Sequence, residues 1–115
     1  MKIIIKATNF SLTENIKNWI ERKVRPLEKF LPQRKKFEAK IMIEVAKLTK
    51  HHHKGEIFYA ESQIALPYRK NIRGEAKRKD LYSAINELKD KLQIEFKKYK
   101  EKEYILKKKL HTKQL

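Results

Sequence analysis

The chain has 115 residues, 40% of them hydrophobic, which suits one domain with one modest core. Its 30 Lys and Arg outweigh 14 Asp and Glu for a formal charge of +16, a self-repulsion that adds nothing to fold stability and predicts a polyanionic partner. The absence of cysteine excludes disulfides and thiolate chemistry, and no apolar run approaches the roughly 20 residues of a membrane span.

Two glycines and three prolines leave little room for flexible linkers. After Met1-Lys2 the apolar run stops at Ile5, so a signal peptide is not expected and a cytoplasmic setting with no membrane partner is. The competing explanation of the charge is lysine used merely as a solubiliser.

Lys2 to Ala7 is β-branched and predicts a short strand, buried on both faces at its centre. Thr13 is the expected N-cap of a first helix, although Ser11 with Glu14 also has capping-box spacing. Ile16, Trp19, Ile20, Val24, Leu27, Phe30 and Leu31 then recur at three and four, a continuous apolar stripe. Pro26 removes a backbone donor inside that stripe and predicts a kink or a restart near Arg25, and Pro32 closes the element.

Phe37 to Leu48 alternates, with Phe37, Ala39, Ile41, Ile43 and Val45 on one face and Glu38, Lys40, Met42 and Glu44 on the other. Thr49 to Gly55, with His51-His52-His53, reads as a polar hairpin tip. The returning strand spans about Ile57 to Leu66, Pro67 to Asn71 turns the chain, and Ile72 to Ala76 is a short edge strand. Asp80 caps a second helix whose stripe is Leu81, Ala84, Ile85, Leu88, Leu92, Phe96 and Tyr99. That helix is expected to reach at least Tyr99, with Tyr104 as a further candidate end, leaving a domain over 1–102 and a basic C-terminal tail over 103–115. The order is β-α-β-β-β-α. An α+β fold results, a four-stranded mixed sheet with two helices packed on one face.

Three consecutive histidines at a hairpin tip converge poorly on one ion, so no metal is expected there. No nucleophile motif, phosphate loop or zinc-protease motif is present, so neither an enzyme, a cofactor nor a small-molecule substrate is expected. The basic clusters are more specific. Arg69, Lys70, Arg73, Lys77, Arg78 and Lys79 face Glu75 alone, and a second run of lysines extends from Lys97 to Lys113. Together with Lys89, Lys91, Lys97, Lys98, Lys100 and Lys102 they predict a basic surface that binds phosphates with strong salt dependence. Lys23 and Lys29 support it from the first helix. Trp19, Phe30, Phe37, Phe58 and Phe96 are assigned to the core. Tyr68 and Tyr99 either stack bases or close the core edge, with Tyr99 assigned to the core.

The block Asp80-Leu81-Tyr82-Ser83-Ala84-Ile85-Asn86-Glu87-Leu88, followed by Lys91-Leu92, resembles the ribosome hibernation promoting factors, also called protein Y or ribosomal subunit interface proteins. Leu12-Thr13-Glu14, Lys23 and Leu27-Glu28 extend the resemblance, which covers roughly residues 1 to 102. It implies a domain that binds the small ribosomal subunit and its ribosomal RNA near the decoding centre and silences idle ribosomes over the messenger and transfer RNA sites. Lys23, Lys91, Lys98, Lys100 and Lys102 match basic positions of that family. Ile94 and Glu95 stand where many members carry Arg-Gln, so Lys97 is the expected substitute contact. A basic tail in place of a long dimerisation domain implies a short form that is monomeric when free and does not itself join ribosomes into dimers. The alternatives are a double-stranded RNA-binding module and a basic regulator that binds an acidic protein.

Overall fold

The computed structural model describes residues 1–31, 39–49, 56–66 and 72–113. In chain order it contains β1 (Lys2–Thr8), α1 (Glu14–Val24), a 3₁₀ segment (Arg25–Phe30), β2 (Lys40–Thr49), β3 (Glu56–Ala65), β4 (Ile72–Arg78) and α2 (Leu81–Lys113). One sheet runs β1-β2-β3-β4, with β1 parallel to β2 and the other neighbours antiparallel. The parallel pair requires a crossover, which α1 and the 3₁₀ segment supply. This is the mixed β-α-β-β-β-α sheet that the hydrophobic pattern predicts.

Local chemistry sets the helix ends. The Thr13 hydroxyl accepts from the Ile16 amide at 3.2 Å and so caps α1. Pro26 has no amide proton to continue the helical ladder, so α1 stops at Val24 and the chain restarts as the 3₁₀ segment. Leu27 and Phe30 of that segment are still buried, which keeps the apolar stripe on the core after the change of pitch. Asp80 caps α2 with both oxygens, accepting from the Ser83 amide and the Ser83 hydroxyl at 2.8 Å each. Asn9 turns the chain between β1 and α1 at φ 64, a conformation that asparagine tolerates better than most residues.

The core lies between the sheet and the helices. Ile20, Val24 and Leu27 meet Ile41, Ile43 and Val45 of β2, Ala60 and Ile64 of β3, and Leu81, Ile85, Leu88, Leu92 and Phe96 of α2. Full burial of a side chain of this size is worth about 1.5–3 kcal/mol, so the stripe decides where α2 lies. Gly74 of β4 marks the closest approach. A Cβ at that position would sit 3.1 Å from Leu88 Cδ1 and 3.3 Å from Leu92 Cδ2.

Several expectations need correcting. Strand β1 is an edge strand with no layer over its second face, so Ile3, Ile4 and Ile5 are only half-buried. Trp19 and Phe58 pack against the core as partly buried rings rather than within it. Helix α2 continues to Lys113, past the expected end at Tyr99 to Tyr104. The reason is compositional: no glycine or proline follows Gly74, and Lys, Glu and Leu propagate a helix well. Its 33 residues rise roughly 50 Å at 1.5 Å each and account for the longest dimension of the 64 × 28 × 18 Å molecule. Strand β4 also runs two residues beyond its expected end, to Arg78. Phe37, His51-His52-His53 and Tyr68 lie outside the described residues.

Candidate nucleic-acid interface

The sheet has one face under the helices and one face open to solvent, and the strand register shows what the open face carries. Lys6, Glu44, Glu61 and Glu75 stand directly opposite one another across all four strands. Three carboxylates in a row are unfavourable neighbours. The Tyr59 hydroxyl lies between two of them, 2.6 Å from Glu61 Oε2 and 2.9 Å from Glu75 Oε2, and its single proton is donated to one at a time. These hydrogen bonds, Glu61 foremost, push the Tyr59 ionisation far above the usual phenol range, with partial desolvation second. Thr8 donates to Glu44 at 3.2 Å.

Arg73 and Lys77 belong to this open face and flank the acidic row, with Lys77 Nζ 5.8 Å from the centre of the Tyr59 ring. Arg78 and Lys91 meet at a different place, the seam between β4 and α2. Glu87 pairs with Arg78 Nε at 3.2 Å and with Lys91 Nζ at 3.4 Å, and Lys91 also donates to the Glu75 carbonyl at 2.7 Å. Both cations are therefore partly neutralised within the protein. Lys98 and Lys102 follow Lys91 along the same flank of α2, and Lys98 contacts Glu95 at 3.5 Å. Lys79 is exposed beside the start of α2, and Arg69 and Lys70 lie outside the described residues.

The flank of α2 facing α1 differs. Lys97 Nζ lies 6.0 Å from the centre of the Phe30 ring and Lys29 Nζ lies 5.2 Å from the same centre. Two amines from separate elements thus converge on one ring whose body is buried. Lys23 Nζ lies 5.7 Å from the centre of Trp19. Lys89 and Lys100 continue this flank, half-buried and exposed respectively. None of these five lysines is paired with a carboxylate among the described residues.

Eleven of the fourteen sequence candidates therefore separate into three groups. Lys23, Lys29, Lys89, Lys97 and Lys100 gather between the helices; Arg78, Lys91, Lys98 and Lys102 follow the β4 seam; Arg73 and Lys77 sit across the sheet. Two features escape a reading of the chain. Trp19 and Tyr82 form an edge-to-face pair, although Tyr82 falls beside the apolar stripe of α2 and its exposure was legible there. Glu87 joins Arg78 to Lys91; only its four-residue spacing from Lys91 is a sequence signal.

Among the described residues no group of three or more His, Cys, Asp and Glu is arranged to hold a metal ion. No described helix is long and apolar enough to cross a membrane.

Fold and surface together define a basic α+β domain with a cation-rich helical layer on one side and an acid-centred sheet on the other. The family described as Sigma 54 modulation protein / S30EA ribosomal protein matches residues 3–104, and the chain belongs to it. It is 29% identical over 109 residues to a ribosome hibernation promotion factor from Picosynechococcus sp., covering 90% of this chain and 51% of that protein. The chain thus spans about half the length of that curated relative. Its structure is similar to the N-terminal domain of Thermus thermophilus Protein Y, with a TM-score of 0.64 and 25% identity, covering 86% of this chain and 99% of that one. A ribosomal subunit interface protein from Coxiella burnetii shares the fold, with a TM-score of 0.66 and 22% identity over 87% of this chain and 98% of that one.

Proposed function

We propose that this protein is a non-enzymatic hibernation factor that binds the small ribosomal subunit through ribosomal RNA phosphates. By occupying the cleft near the decoding centre it occludes the messenger and transfer RNA sites of idle ribosomes. The observation that carries this reading, beside family membership, is the unequal charge of the two faces. Cations with no carboxylate partner among the described residues collect between the helices, whereas three glutamates line the open face of the sheet. A polyanion is attracted more strongly to the first than to the second, where the three glutamates stand among Lys6, Arg73 and Lys77. The helical layer is therefore the main contact surface.

The cations between the helices contribute most, because no carboxylate among the described residues has to be displaced from them. Arg78 and Lys91 contribute less, since a phosphate competes there with Glu87. Lys98, Lys102 and the basic turns beyond residue 102 extend the surface along α2. The double-stranded RNA-binding alternative, whose fold opens on a helix, does not match a chain whose first element is β1. The protein acts in the cytoplasm.

Sucrose-gradient cosedimentation with purified small subunits tests the reading. Wild-type protein is expected in the small-subunit fraction with translation initiation blocked, and protein left at the top of the gradient refutes the proposal. Replacing Lys29 and Lys97 by Ala should flatten the salt dependence of binding by about 0.7–0.9 in log–log slope for each phosphate no longer neutralised.

A further inference from the structure

The surface between the helices holds more than charge. The Trp19 and Tyr82 rings lie 4.6 Å apart between centroids, at 84° to one another. Tyr82 is 53% exposed, while Phe96 and Tyr99 of the same helix are buried. The edge-to-face contact fixes the tyrosine ring without covering it, so a ligand that stacks on it has little side-chain freedom to remove. Lys23 lies over the Trp19 ring. Asn86 and Lys89 follow Tyr82 at four and seven residues, which places an exposed amide and a half-buried amine along the same flank.

Flat aromatic surface, a group able both to donate and to accept, and two amines without a carboxylate partner among the described residues are the components with which proteins hold an unpaired base. A duplex hides its base faces and offers only phosphates and groove edges. An acidic peptide would use the amines and leave the rings idle.

We propose that the Trp19–Tyr82 pair is a stacking site for an unpaired base of single-stranded RNA, with Asn86 at the base edge and Lys23 and Lys89 at the flanking phosphates. The site rests on the ribosomal RNA reading and narrows it: the domain engages an unpaired segment as well as the phosphate backbone.

Trp19 is the one tryptophan of the chain and reports directly on the site. The probes are a short oligoadenylate and an abasic strand of equal length, titrated at low salt. Oligoadenylate is expected to quench Trp19 fluorescence and to bind more tightly than the abasic strand, which leaves the emission unchanged. Tyr82→Ala should weaken oligoadenylate binding roughly 5- to 150-fold, the range one stacked base supplies, and leave abasic binding as it was. Tyr82→Phe, which keeps the ring, should restore the affinity. Equal binding of the two strands by wild-type protein overturns the site, as does wild-type affinity for oligoadenylate in a folded Tyr82→Ala variant. If Tyr82→Ala does not fold, the comparison of strands on wild-type protein decides. Cosedimentation with small subunits but no discrimination between strands removes the stacking site alone. Loss of cosedimentation removes the ribosomal reading itself.

Discussion

Replacing Gly74 by Ala tests how α2 is held on the sheet, because the new methyl points at two named atoms. The added Cβ meets Leu88 Cδ1 at 3.1 Å and Leu92 Cδ2 at 3.3 Å, both tighter than ordinary carbon contacts. Removing a glycine from a strand returns about 0.5–1 kcal/mol, while an extra methyl in a packed core costs about 1–3 kcal/mol. Gly74→Ala is therefore expected to destabilise by about 0.5–2 kcal/mol. Leu92→Ala, at a fully buried position, should cost about 2–5 kcal/mol alone. The two together should cost less than their sum by about 1 kcal/mol, since the alanine methyl fills part of the space that Leu92 vacates and Leu88 can turn into the remainder. Urea unfolding followed by circular dichroism gives all four corners of the cycle. A coupling below about 0.5 kcal/mol would show that the helix is not seated on Gly74 in this way.

Three further substitutions probe single groups. Asp80→Ala should lower the thermal midpoint through loss of the α2 cap. The Ser83 amide and hydroxyl hold the Asp80 carboxyl below its usual range, so its contribution is present above the unfolded pKa of about 3.9 and fades as pH falls through the folded value. A pH–stability profile of the variant that parallels wild type in acid would contradict this. Tyr59→Phe removes the proton that the hydroxyl donates to Glu61 or to Glu75 and should cost about 0.5–1.5 kcal/mol in urea unfolding. Because the folded phenol is pushed upward, its stabilisation is complete below the ordinary value of about 10 and is lost at higher pH; absorbance titration in which Tyr59 ionises like a free phenol would refute the contact. Ser62 is 2% exposed and its hydroxyl has no hydrogen-bond partner among the described residues. Ser62→Ala should therefore leave stability unchanged or raise it by about 1 kcal/mol, and a clear loss would reveal a partner for that hydroxyl.

Periodicity made the architecture legible. Alternation identified the buried face of β2, the three-and-four spacing identified both helices, and Thr13, Pro26 and Asp80 announced where the helices begin or break. The misjudged features depend on neighbours that no local pattern encodes. Ile3-Ile4-Ile5 has the composition of a central strand, yet the sheet order leaves it at an edge. The row Glu44, Glu61 and Glu75 exists only through the register of three strands whose sequence positions are 14 to 17 residues apart. The candidate lysines were recognisable as a set. Their division between a group without carboxylate partners among the described residues and the pair held by Glu87 required the placement of α2 against β4.

The length of α2 has a thermodynamic meaning of its own. Isolated helices shorter than about 12–15 residues are marginal in water because nucleation is costly. The turns beyond Tyr99 escape that cost, since the buried part of α2 is already nucleated and only propagation remains, one hydrogen bond for each residue added. The free energy of propagation lies close to zero, so the arm's order responds to small influences: temperature, a neighbouring negative charge, or one residue of lower helix propensity. Its reach is thus an adjustable quantity, set by intrinsic backbone preference rather than by burial in the core.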